Sequence, residues 1–145
     1  MRFKDLNGRL RFLNVERRRI KWNAPSLSKF QYGVKQFLKP YWQNHIVYEE
    51  MRMVGTLLRL DLYNATKRIG IEVNGGQHKD FNKFFHNNSQ LNYLKQLRRD
   101  HKKYLWCEKN NITLIDIYPD DLPLTKSFFD KLNVSLCKLS VNKDK

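Results

Sequence analysis

Two apolar segments, each carrying one acid and joined by a short turn, constrain this chain more than any other feature. The first reads Leu57-Leu58-Arg59-Leu60-Asp61-Leu62-Tyr63. The second reads Arg68-Ile69-Gly70-Ile71-Glu72-Val73 and runs on into Asn74-Gly75-Gly76-Gln77-His78. Aliphatic and β-branched residues at this density favour strands. Asn64-Ala65-Thr66-Lys67 is short enough to join them as an antiparallel pair. His45–Met51 precedes them as a third strand, with Gly55 marking the intervening turn. Such a meander sets Asp61 and Glu72 on neighbouring strands, within reach of each other.

The flanking segments read as helices and one more strand. Ser26 or Ser28 is placed to cap a helix, in which Phe30, Val34, Phe37 and Leu38 recur at helical spacing. Pro40 is expected to end it. Ser89 opens a long helix over 90–110, with Leu91, Leu94, Leu97, Tyr104 and Leu105 expected to face inward, and Asn110-Asn111 stopping it. Ile112–Tyr118 is strongly β-prone and predicts the last strand. Pro119 to Pro123 break the pattern, and Leu124–Leu139 predicts a short terminal helix before a frayed basic end. The order helix, three strands, helix, strand predicts an α/β fold: an αβββαβ core with a mixed four-stranded sheet and helices on both faces.

Residues 1–24 hold eight basic side chains against Asp5 and Glu16. They read as a basic arm, irregular or in short strands, ahead of a domain spanning 25–145. Arg17, Arg18 and Arg19 are its densest run. Such an arm could embrace a phosphate backbone or lie solvated.

A length of 145 residues fits one domain with a real core, and 41% hydrophobic residues exclude a disordered tail. Twenty-eight basic against 14 acidic residues give a net charge of +14, which points to a polyanion, most often nucleic acid. Cys107 and Cys137 are too few for a disulfide framework, so a reducing compartment is expected. No apolar run spans a membrane, and the N-terminus does not read as a secretory signal. The expected location is cytoplasmic.

Paired acids in so basic a chain imply a hard divalent cation and phosphodiester cleavage. Mg²⁺ prefers carboxylate oxygens and retains several waters. Asp61, Glu72 and the Val73 carbonyl are the candidate ligands, for Mg²⁺ or Mn²⁺. A cation there polarises a phosphate and acidifies water. The plainer alternatives are a strand-end surface acid at Asp61 and a salt bridge from Glu72 to Arg68 or Arg59. Lys95, Arg99 and Lys103 recur every four residues and form a cationic ridge suited to phosphate.

Four motifs in chain order carry a resemblance: Arg59-Leu60-Asp61-Leu62-Tyr63, Ile71–His78, Arg99-Asp100-His101-Lys102-Lys103, and Asn110–Ile117. They resemble the PD-(D/E)XK nuclease superfamily over residues 26–118. Within it they resemble the branch of very-short-patch-repair and phage-type homing endonucleases. The resemblance implies a restriction-endonuclease-like fold, a Mg²⁺-dependent, site-specific cut in double-stranded DNA, and a phage-encoded enzyme acting in the host cell. It also implies a proton-handling role for His78, assisted by Gln77. The chain departs from the pattern twice. Asn74 stands where the family usually has Lys, and Gln31 where many relatives carry a helix Glu. Glu50 or Glu49 is the expected substitute, and strand alternation allows only one of them to face the site; Glu50 is preferred. One active centre per chain makes a homodimer, or two successive nicks, the route to a double-strand break. Two rival readings share the framework: a structure-selective nuclease such as a junction resolvase, and a non-cleaving DNA-binding protein on a decayed nuclease fold.

Overall fold

A computed structural model describes residues 1–75 and 89–137. Two short strands come first, β1 (Arg2–Lys4) and β2 (Leu10–Phe12), followed by a 3-10 turn at Glu16–Arg18. Helix α1 (Lys29–Trp42) leads into β3 (Val47–Arg52), β4 (Arg59–Asn64) and β5 (Ile69–Val73). Helix α2 (Ser89–Lys109), β6 (Thr113–Ile117) and α3 (Lys126–Asp130) complete the chain. The main sheet runs β3-β4-β5-β6, antiparallel except for the parallel β5–β6 pair. The parallel pair follows from the crossover through α2. This is the mixed sheet between helices that the segment order predicts.

Two apolar clusters sandwich the sheet. On one face Val34, Leu38 and Trp42 of α1 pack against Val47, Leu62, Ile71, Ile115, Ile117 and Phe129. On the other, Trp106 and Cys107 of α2 pack with Tyr48, Leu60, Tyr63 and Phe3. Phe3 ties the β1–β2 hairpin into this second cluster, its ring 5.1 Å from Trp106 and 5.9 Å from Tyr63. The side chain of Asn110 fixes it further, accepting from Lys4 N–H at 2.7 Å and donating to the Lys4 carbonyl at 2.9 Å. Residues 19 and 20 are pinned to the β3 edge through an Arg19–Tyr48 bridge and the Ile20 N–H bond to the Val47 carbonyl.

Several boundaries differ from the sequence expectation, each for a physical reason. Ser28 is the cap, accepting from Gln31 N–H at 3.0 Å. Pro40 does not end α1. The helix continues to Trp42, because burying that indole to 2% exposure outweighs the hydrogen bond a proline cannot donate. In α2 the inward stripe is out of phase with the expected one. Leu94, Leu97 and Tyr104 are 47%, 40% and 55% exposed and Leu105 is half-buried, while the side chain of Leu91 lies outside the described residues; among the described side chains of α2 the buried ones are Trp106 and Cys107. Asn111 ends the helix at φ 54°, with Ile112 N–H closing on the Cys107 carbonyl, a left-handed stop of the kind Asn tolerates. The terminal helix is only Lys126–Asp130.

Gly55 supplies one test of the hairpin's docking. It sits at φ +84°, and a Cβ there would lie 2.7 Å from the Asp5 Cβ. Gly55→Ala should lower stability by about 2–4 kcal/mol, read as a shift in the urea midpoint. A midpoint equal to wild type would mean that the hairpin does not pack on the β3–β4 turn.

Candidate active site

Register brings the acids together. The β4–β5 ladder pairs Leu62 with Ile71, and its next step sets Asp61 opposite Glu72. On the far side of β5, Glu72 is paired with Asp116. The β3–β4 ladder pairs Glu49 with Leu62 and Met51 with Leu60, leaving Glu50 facing Asp61. Glu50, Asp61, Glu72 and Asp116 thus occupy successive register positions across the four strands.

Asp61 and Glu72 interlock. Val73 N–H donates to Asp61 Oδ2 at 2.7 Å, and Asp61 N–H lies 3.4 Å from Glu72 Oε1. The other oxygen, Glu72 Oε2, accepts from Lys103 Nζ at 2.6 Å. Glu72 is 6% exposed. Burial, and then the Asp61 charge, push its carboxyl up to about 8, with Lys103 opposing. Burial also raises Asp61, against the Val73 N–H bond and the Lys103 charge.

The β4 strand loses strict alternation here. Leu60 and Leu62 should share a face, yet they sit in opposite clusters. The break coincides with Glu50, which adopts φ 56°. Its consequence corrects the expectation that only one of Glu49 and Glu50 reaches the site. The Gln31 amide donates to Glu49 Oε2 and to Glu50 Oε1, both at 3.0 Å. Glu49 also accepts from Ser26 at 2.6 Å and pairs with Lys35 at 3.1 Å. Glu50 is raised mainly by burial, with Asp61 and Glu49 adding and Gln31 opposing.

Other expected positions fall differently. Asn74 does not join the acid pair; its amide donates to Asp116 Oδ1 at 3.1 Å. At Val73, the group seen on Asp61 is the N–H. Lys103 leaves the cationic ridge, because the desolvated Glu72 carboxylate draws it inward to 18% side-chain exposure. Arg99 and Lys95 remain exposed on the same stripe, one and two turns before it. Arg17, Arg18 and Arg19 are exposed beside the β3 edge. Gln77, His78 and the 79–88 segment lie outside the described residues. Among the described residues, no three Asp, Glu, His or Cys side chains converge on one cation position. Beside Glu72 opens a cavity of about 460 Å³, lined by Asp100, His101, Lys103, Tyr104 and Asp116 among others.

The chain matches viral proteins over part of its length. It is 38% identical over 65 residues to uncharacterized protein 033L of Invertebrate iridescent virus 3. It is 38% identical over 60 residues to uncharacterized protein 307L of Invertebrate iridescent virus 6, and 35% over 63 residues to uncharacterized protein 094L of Frog virus 3. The matches cover 45%, 41% and 43% of this chain, and 33%, 30% and 41% of those proteins. No family model matches the chain, and no solved structure matches it significantly. Among the described residues, no helix is long and apolar enough to cross a membrane.

Sequence reasoning passed over Lys35 and Asp116. Lys35 carried a readable signal: it falls on the inward stripe Gln31, Val34, Lys35, Leu38, Trp42, where a charge needs a buried partner. Asp116 carried none, since only strand pairing sets it beside Glu72.

Proposed function

We propose that this chain is a Mg²⁺-dependent endonuclease acting on double-stranded DNA, with a restriction-endonuclease-like core and Asp61 and Glu72 as its metal ligands. One observation carries the reading. A buried Glu72 and a half-buried Asp61 sit on adjacent strands, linked through backbone N–H groups, and a lysine from a different element touches Glu72. The donor set fits Mg²⁺, which is commonly held by one or two carboxylates together with substrate phosphate oxygens. When bound, the ion supplies charge to the scissile phosphate and acidifies water.

The chain's own side chains divide the remaining work. Glu72 Oε1 lies toward the Asp61 backbone N–H, whereas Oε2 holds Lys103. Lys103 would then stand next to a cation held by Asp61 and Glu72. Lys103 thereby supplies the positive charge that Asn74 cannot, and Nζ can donate to a phosphate oxygen or to the leaving 3′-oxygen. Glu50, held by Gln31, places a further carboxyl near Asp61. Lys95 and Arg99 continue the stripe outward along α2 and suit the phosphate backbone. The viral relatives support a role in an infected host cell. A non-cleaving DNA-binding role is the second reading, favoured by Lys103 already neutralising Glu72.

The test uses long duplex DNA with Mg²⁺ or EDTA. Products should form with Mg²⁺ alone. A stability measurement reports the cation independently. Glu72 titrates near 8 when folded against an ordinary 4.5. Between those values the folded state keeps a proton that the unfolded chain releases, so stability in EDTA should fall as pH rises across that window. Mg²⁺ competes with that proton. It should therefore raise the melting temperature at pH 8 and leave it nearly unchanged at pH 5. Melting curves indifferent to Mg²⁺ at both pH values, with no DNA products, would sink the proposal.

A further inference from the structure

The β1–β2 hairpin has two chemically distinct faces. Its register pairs Arg2 with Phe12, Phe3 with Arg11, and Lys4 with Leu10. Alternation sends the middle pair one way and the outer pairs the other. The middle pair faces the protein: Phe3 is buried, and Arg11 bonds to Asp5 at 2.7 Å. The outer pairs face solvent. Leu10 is 60% exposed and Phe12 71%, with Arg2 and Lys4 exposed beside them. Two apolar side chains alternate with two cations on a rigid two-stranded ribbon.

We propose that this outer face, carrying Arg2, Lys4, Leu10 and Phe12, enters a groove of duplex DNA and holds the substrate against the acid pair. The assignment rests on the reading that duplex DNA is the substrate, though not on cleavage. Three observations carry it. A two-stranded ribbon matches a major groove about 12 Å wide, where apolar side chains meet thymine methyls and cations meet phosphates or guanine edges. The cations would repel a second copy of the same face, and the chain carries +14 overall. The ribbon is also fixed close to the candidate site. Phe3 packs on Trp106, and Lys103, one turn earlier on α2, bonds to Glu72. A groove reader and the acid pair thus share one helix as their mount.

The experiment measures binding of a fluorescein-labelled DNA duplex by anisotropy, in EDTA, over a range of salt. Leu10→Ser/Phe12→Ser should weaken affinity about tenfold or more, with an unchanged salt slope. Arg2→Ala/Lys4→Ala should flatten the slope of log affinity against log salt by about two. Both variants should melt like wild type, since all four side chains are exposed. Wild type that binds duplex DNA, with both variants matching it, overturns the ribbon assignment alone. Wild type with no duplex affinity overturns it together with the substrate reading. A loss confined to duplex RNA or to phosphatidylglycerol vesicles overturns it. So does a dimer in sedimentation that Leu10→Ser/Phe12→Ser dissolves.

Discussion

Asp61→Asn should lower Mg²⁺-dependent cleavage on the order of a thousandfold, the loss expected when a ligand of a charge-stabilising cation goes. It should do so without unfolding the protein. An asparagine oxygen can still accept the Val73 N–H bond that Asp61 takes at 2.7 Å. The substitution also removes the charge that helps push Glu72 upward. Like charges opposed across a sheet cost several tenths of a kcal/mol, so the variant in EDTA should melt about 1–2 °C higher than wild type. Inactivity together with raised stability identifies a site held under electrostatic strain for function. Cleavage at the wild-type rate would remove Asp61 from the chemistry, and a variant that melts far lower would make its inactivity uninformative. Nicking of supercoiled DNA alongside a thermal melt gives both readouts.

The second large effect is at Lys103. Removing one partner of a buried ion pair typically costs about 3–5 kcal/mol. That cost applies above about pH 8, where Glu72 is ionised and Lys103→Met should lose about 3 kcal/mol; at lower pH Glu72 holds a proton and the loss is smaller. Cleavage should fall about a hundredfold if Nζ meets the reacting phosphate. The two roles separate in a double variant. Lys103→Met combined with Glu72→Gln should regain most of the lost stability, because no unpaired charge remains, yet stay inactive. Urea midpoints and single-turnover rates on the same preparations decide it. A Lys103→Met protein with wild-type turnover would leave this lysine a purely structural partner of Glu72.

Both predictions depend on features of unequal legibility. The meander was readable because aliphatic density and short polar turns are local signals. Asn111 was readable as a helix stop because Asn tolerates the left-handed conformation found there. Pro40 misled, since the rule that proline ends helices omits the pull of a buried Trp42 two residues on. The phase of α2 misled because the helix is polar over most of its length, so its scattered leucines are a weak guide to the buried face. Glu49 and Glu50 misled because period-two alternation assumes extended dihedrals, and Glu50 does not adopt them.

The sequence by itself determined the order of elements, the basic character of the chain and the two acids on adjacent strands, since these follow from local patterning and from composition. Tertiary structure alone decided which charges meet. Lys103 lies thirty-one positions beyond Glu72, Glu49 is held by α1, and Asp116 joins the row through a parallel pairing that needs the whole α2 crossover. Pair energies between charges depend on distance and burial, and neither is encoded at any one position of the chain.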